Sequence, residues 1–169
     1  MSRNNNDFNE WANVSLMNDE DIDYSLIPEA VLQELALGNE FYIATSALVE
    51  LWMRESSTSA SIAWEILSTS HGDRYLQSTA LGVLSNTDKE KTLNYISEKG
   101  ADCDLLILNK MMKLMVDNSL DLVPTSTIIQ TTIERLKNLR DEQELIEPDV
   151  QRDFMQLYNV SPPVARIEA

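Results

Sequence analysis

ATSALVEL, residues 44–51, returns 33 positions later as QSTALGVL, residues 77–84. The two octets share alanine at 47 and 80, leucine at 48 and 81, and leucine at 51 and 84. Spacings of three and four residues put those side chains on one face of an α-helix. Ile66 with Ile96, and Leu84 with Leu114, recur at 30 residues. A period of this size is the mark of two-helix units that stack, each hiding its apolar face against its neighbours. Chance similarity among alanine- and leucine-rich helices in an irregular bundle is the competing reading. Both give an all-α fold of antiparallel helix pairs.

The flanking sequence fits helix pairs. Pro28 can open PEAVLQELALG, where its missing N–H costs nothing, and Gly38 can close it in a left-handed conformation. Asn39 is the expected N-cap of NEFYIATSALVELWMRE, whose apolar stripe assigns Phe41 and Trp52 to the core. SASIAWEILSTS and RYLQSTALGVLSNT flank the turn at 71–73, where His71 reads as an exposed turn residue. KEKTLNYISEKG and DLLILNKMMKLMVDN make a third pair, the second member apolar on most sides and so the most buried helix. TSTIIQTTI, residues 125–133, is rich in β-branched residues and could be a strand by propensity. Ile129, Ile133 and Leu136 nevertheless stay on one helical face, which predicts a helix capped by Thr125 or Ser126. PDVQRDFMQLYN supplies a last helix. The expected organisation is an acidic arm over 1–25, a single helical domain over 26–158 and a tail over 159–169. Within the domain the pairs cover about 28–53, 59–85 and 89–117, followed by helices over about 125–158. Leu48, Leu51, Leu81, Leu84, Met111 and Leu114 are expected to share its core.

Charge narrows the partners. Of 169 residues, 28 are acidic and 13 basic, a formal net charge of −15. Residues 1–73 hold thirteen acids and two bases, Arg3 and Arg54, a net of −11. Phosphate binding needs a basic patch, so nucleic acid is not expected as a direct partner, nor an anionic membrane surface. A basic protein is the sign-matched partner, and a one-signed field of this kind speeds encounter by roughly ten- to a thousandfold. The alternative is that the acids only keep the protein soluble. One cysteine, Cys103, leaves no intramolecular disulfide, and MSRNNNDFNE has no apolar run of a signal peptide. Both fit a cytoplasmic protein.

The densest acidic stretch is NDEDIDY, residues 18–24. Asp19, Asp21 and Asp23 imitate the start of a calcium loop, but its sixth and twelfth positions hold Tyr24 and Ala30 where glycine and glutamate are required. No metal site is expected there. A lone histidine cannot build a two-histidine zinc helix, and no phosphate-cradling glycine loop occurs. Cys103 lies between Asp102 and Asp104, a setting that disfavours the thiolate. Paired carboxylates could act as acid and base, but no spacing selects two. The expectation is a protein without catalytic residues or cofactor. Asp19, Glu20, Asp21 and Asp23 are the candidate partner contacts, with Tyr24 as an anchor and Glu50 as a further contact. The same stretch also reads as a solvated linker, and Trp11 and Tyr24 as staples holding the arm to the first helix pair.

PEAVLQELALGNEFYIATSALVEL and SIAWEILSTSHGDRYLQSTALGVL resemble HEAT-like repeats, over about residues 28–117. Pro28 matches the family's habit at a helix start, whereas the later units lack that proline. The resemblance implies an α-solenoid scaffold that holds a macromolecule. In size, charge and repeat pattern the chain is also similar to bacterial immunity proteins of contact-dependent growth inhibition. That implies a cytoplasmic protein that blocks a cationic toxin domain, often a nuclease. An intracellular scaffold for another protein is the alternative implied by the same repeats.

Overall fold

The computed structural model describes residues 21–123, 125–139 and 146–158. Among them are eight α-helices, one short 3-10 turn and no strand. The fold is all-α. The chain divides into two compact units, Met1–Thr87 and Asp88–Ala169.

In the first unit the 3-10 turn Tyr24–Leu26 leads into α1 (Glu29–Ala36), α2 (Phe41–Met53), α3 (Ser59–Thr69) and α4 (Arg74–Thr87). α1 packs on α2, α3 on α4, and α2 on α4, so the two octets lie on neighbouring helices. Their shared positions are the core: Ala47, Ala80, Leu48, Leu81, Leu51 and Leu84 are all fully buried. Leucines there remove the most apolar area from water, while alanines let two helix axes approach. Among the positions at which the octets differ, half-buried Glu50 stands in the place of buried Val83.

Turn chemistry departs from expectation in three places. Gly38 is not left-handed; α1 closes through Leu37 at φ −103°, whereas the turn inside the next pair has left-handed residues, Ser70 at φ 54° and Gly72 at φ 77°. Asn39 does not cap α2, because Glu40 holds that position and makes no side-chain cap bond. His71 is half-buried rather than exposed: its Nε2 donates to the Gly38 carbonyl at 3.1 Å, and its ring meets Phe41 edge-on at 6.0 Å. Phe41 is therefore half-buried, and Trp52, expected in the core, is 39% exposed. One face of a helix is wider than its buried stripe, and Trp52 falls just past the edge that Leu48 and Leu51 define.

The second unit contains α5 (Lys89–Lys99), α6 (Leu105–Val116), α7 (Thr127–Asn138) and α8 (Pro148–Leu157). The β-branched stretch is helical, with Ser126 at its N-cap but without a side-chain cap bond. α5 and α6 occupy the expected residues, yet the main contacts run from α5 to α7 and from α6 to α8. α6 buries eight of its residues, Met111 and Leu114 among them, because apolar side chains surround most of its circumference. The buried amide of Asn109, a polar group that must be paired, donates to Glu147 Oε1 at 3.1 Å and accepts from the Glu147 N–H at 3.1 Å. Glu147 thereby fixes the start of α8, whose Phe154 is fully buried.

Candidate functional site

Asp19 and Glu20 lie outside the described residues, as does Trp11. The rest of NDEDIDY is anchored to the first unit. Ile22 is buried between exposed Asp21 and exposed Asp23, and Ile27 is buried after the 3-10 turn. Asp23 Oδ1 accepts from Ser25 N–H at 3.1 Å and from Ser25 Oγ at 2.6 Å, the local bond that competes for a short acidic side chain at a turn. Tyr24 is half-buried, and its carbonyl accepts from Arg54 Nη2 at 2.8 Å while the Ile27 carbonyl accepts from Nη1 at 2.9 Å. One guanidinium thus ties the turn that follows the acidic stretch to the end of α2. The stretch is pinned at its C-terminal end.

Arg54 also answers the position of Glu50. Its Nε lies 2.7 Å from Glu50 Oε1, with the two side chains only 28% and 17% exposed. A carboxylate standing where the second octet has valine needs a partner, and Arg54, one turn on, supplies it. Glu50 is thus half-buried and ion-paired one turn along its own helix. Arg54 is the residue the sequence reading passed over. Its signal was available: it is one of two bases among thirteen acids and stands four residues after Glu50.

Most other acids of this unit face water. Asp21, Glu34, Glu40, Glu55 and Glu65 are exposed and form no ion pair among the described residues. The exposed large apolar side chains of the unit are Leu26, Tyr42, Trp52, Met53 and Tyr75. Leu26 belongs to the turn that Arg54 fastens, and Trp52 and Met53 immediately precede Arg54 in the chain.

The second unit has a different character. Arg135 Nη1 donates to the Gly100 carbonyl at 3.0 Å and to Cys103 Sγ at 3.2 Å, and Nη2 donates to the Cys103 carbonyl. Burial pushes the Cys103 thiol up, outweighing the neighbouring guanidinium, so the thiol is held protonated. Burial likewise pushes the Tyr95 phenol up to about 12, with the nearby Cys103 adding to it. Lys110 is lowered by burial and by Lys113. The Lys113 ammonium, 2.6 Å from Glu147 Oε1, holds that carboxyl below its ordinary value. A cavity of about 60 Å³ lies among Ile96, Gly100, Met111, Thr127, Ile128 and Thr131, the size of a water or two.

Among the described residues no group of three or more His, Cys, Asp or Glu side chains could hold a metal ion, and no helix is long and apolar enough to cross a membrane. Neither a protein-family model, nor a curated protein, nor a solved structure matches the chain.

Proposed function

We propose that the chain is a binding protein for a basic protein domain, and that it works by occupancy, as an immunity protein covering the active surface of a toxin. The observation that carries this reading is the uneven charge, thirteen acids against two bases in residues 1–73, with most of the described acids exposed and unpaired. Such a field concentrates cationic partners near the surface and steers their approach. The side chains best suited to chemistry are otherwise engaged: His71 with a backbone carbonyl, and Cys103 buried and protonated. The alternative, a scaffold for a partner that is not a toxin, shares the same surface and differs in consequence.

The test is growth protection together with association kinetics. Co-expression with a basic toxin domain encoded beside it should rescue growth, and the purified pair should associate faster at low salt. Asp19, Glu20, Asp21 and Asp23, changed together to Asn and Gln, should slow association and flatten its salt dependence. Binding without protection favours the scaffold. Absence of both removes the proposal.

A further inference from the structure

We infer that Arg135 and Glu134, on α7, are the head-group contacts of a small-molecule site whose ligand is an amino acid with a short aliphatic side chain. Two hollows of the second unit adjoin there. The narrower, of about 60 Å³, has apolar walls from Ile96, Gly100, Met111 and Ile128, with Thr127 and Thr131 beside them. The wider, of about 280 Å³, is open and is lined by Ala101, Thr131, Glu134, Arg135 and Asn138. Thr131 lines both, and Gly100 of the first is followed in the chain by Ala101 of the second. An apolar chamber behind a polar mouth suits a ligand with an apolar tail and a polar head.

The Arg135 guanidinium points independently to a ligand. It is half-buried, yet no carboxylate lies within ion-pair distance of it among the described residues. Its acceptors are all neutral: the Gly100 and Cys103 carbonyls and the protonated Cys103 thiol. Those bonds use Nη1 and Nη2 and fix the plane of the group. A guanidinium has five N–H donors, so Nε–H and one Nη2–H remain, the side-by-side pair that matches the two oxygens of a carboxylate. A half-buried charge is costly without a counter-charge, and a bound carboxylate supplies one. Glu134, exposed and without an ion pair among the described residues, lines the same mouth. It repels a plain anion, whereas an ammonium beside the carboxylate turns that repulsion into attraction. Asn138 adds an amide that can donate or accept. A water-sized group takes roughly 30 Å³, so the chamber holds a tail of about two carbons.

The experiment titrates the full chain with 2-aminobutyrate, glycine, leucine and butyrate, by calorimetry and by the NMR signals of the Met111 and Ile128 methyl groups. 2-Aminobutyrate should bind tightest and move both methyl signals, because its ethyl group fills the chamber. Glycine should leave them unmoved, and leucine, too large for the chamber, should bind more weakly. Butyrate should bind about two- to fivefold more weakly than 2-aminobutyrate, the size of one exposed charge pair. Glu134→Gln should erase that difference. Arg135→Lys should weaken binding about tenfold or more, because the paired donors are lost. Thr131→Leu, at the wall the hollows share, should suppress the methyl shifts. Glu134 is exposed, so Glu134→Gln stays folded and decides the case even where Arg135→Lys does not fold. No saturable binding of 2-aminobutyrate, or binding with both methyl signals unmoved, overturns the site. An unchanged preference for 2-aminobutyrate over butyrate in Glu134→Gln overturns the assignment of the head group.

Discussion

His71 Nε2 stands 3.1 Å from the carbonyl oxygen of Gly38, so the turn inside one helix pair is hydrogen-bonded to the turn inside the next, 33 residues away in sequence. Because a carbonyl can only accept, the proton is on Nε2. The same imidazole packs edge-on against Phe41. This contact has a separable polar and aromatic part. His71→Phe keeps the ring and leaves the half-buried carbonyl without its donor, which should cost about 1 kcal/mol. His71→Ala removes both and should cost about 2 kcal/mol. Urea melts of the two variants measure the difference, and equal values would mean the ring contact contributes nothing.

Leu84, fully buried at the end of the second octet, should lose about 2–5 kcal/mol on substitution by alanine, the range for a leucine that leaves a cavity. A loss below about 0.5 kcal/mol in a denaturant melt would match a surface leucine instead.

Gly72 has φ 77°, and a Cβ there would come within 2.5 Å of Leu76 Cδ2. The side-chain tip can move aside, but the left-handed backbone remains, so Gly72→Ala should cost about 1–2 kcal/mol. Gly38, whose backbone is not left-handed, should tolerate alanine better. A reversed order in thermal melts would contradict the turn geometry.

Glu147 gives a pH signature. Its folded pKa is depressed below the ordinary 4.5, first by the hydrogen bond from Lys113; desolvation opposes this, and the hydrogen bond from Asn109 and the charges of Lys113 and Lys110 add to the lowering. A depressed carboxyl stabilises the fold above its unfolded pKa, and that stabilisation is lost as pH falls through the folded value. Acid titration below about pH 4.5 should therefore destabilise the wild type more steeply than Glu147→Gln. Parallel curves would show that the Lys113 contact does not persist in solution.

Much of the architecture was legible in sequence because its strongest signal is repetition. Ala47, Leu48, Leu51 and their counterparts are both periodic and buried, so the pattern and the core coincide. The misread residues are those whose fate depends on a neighbour far along the chain. Trp52 lies one position from buried Leu51 and still emerges, and His71 is drawn inward by a carbonyl 33 residues away. Packing of α5 on α7 and α6 on α8 was equally hidden, since helix periodicity says which face is buried and not what buries it. Of the candidate site, Asp21 and Asp23 are exposed as expected of surface acids, while Glu50 is half-buried and bound to Arg54.

That last pair constrains how the sequence can drift. Arg54 holds two backbone carbonyls besides Glu50, so it stays partly satisfied when Glu50 changes; Glu50 has no second cationic partner among the described residues. Removing one partner of a half-buried pair is costly because the other charge loses its counter-charge, and replacing both by apolar residues is often neutral. The two carbonyls that still accept from Arg54 make the loss of Glu50 the cheaper of the two single steps. Glu50→Val, which makes the first octet match the Val83 position of the second, is therefore the open first step. Arg54 can be lost only afterwards, and then only with the Tyr24–Ile27 turn losing its fastening. Descendants of this sequence should include valine at 50 with arginine retained at 54, and should lack glutamate at 50 paired with an apolar residue at 54.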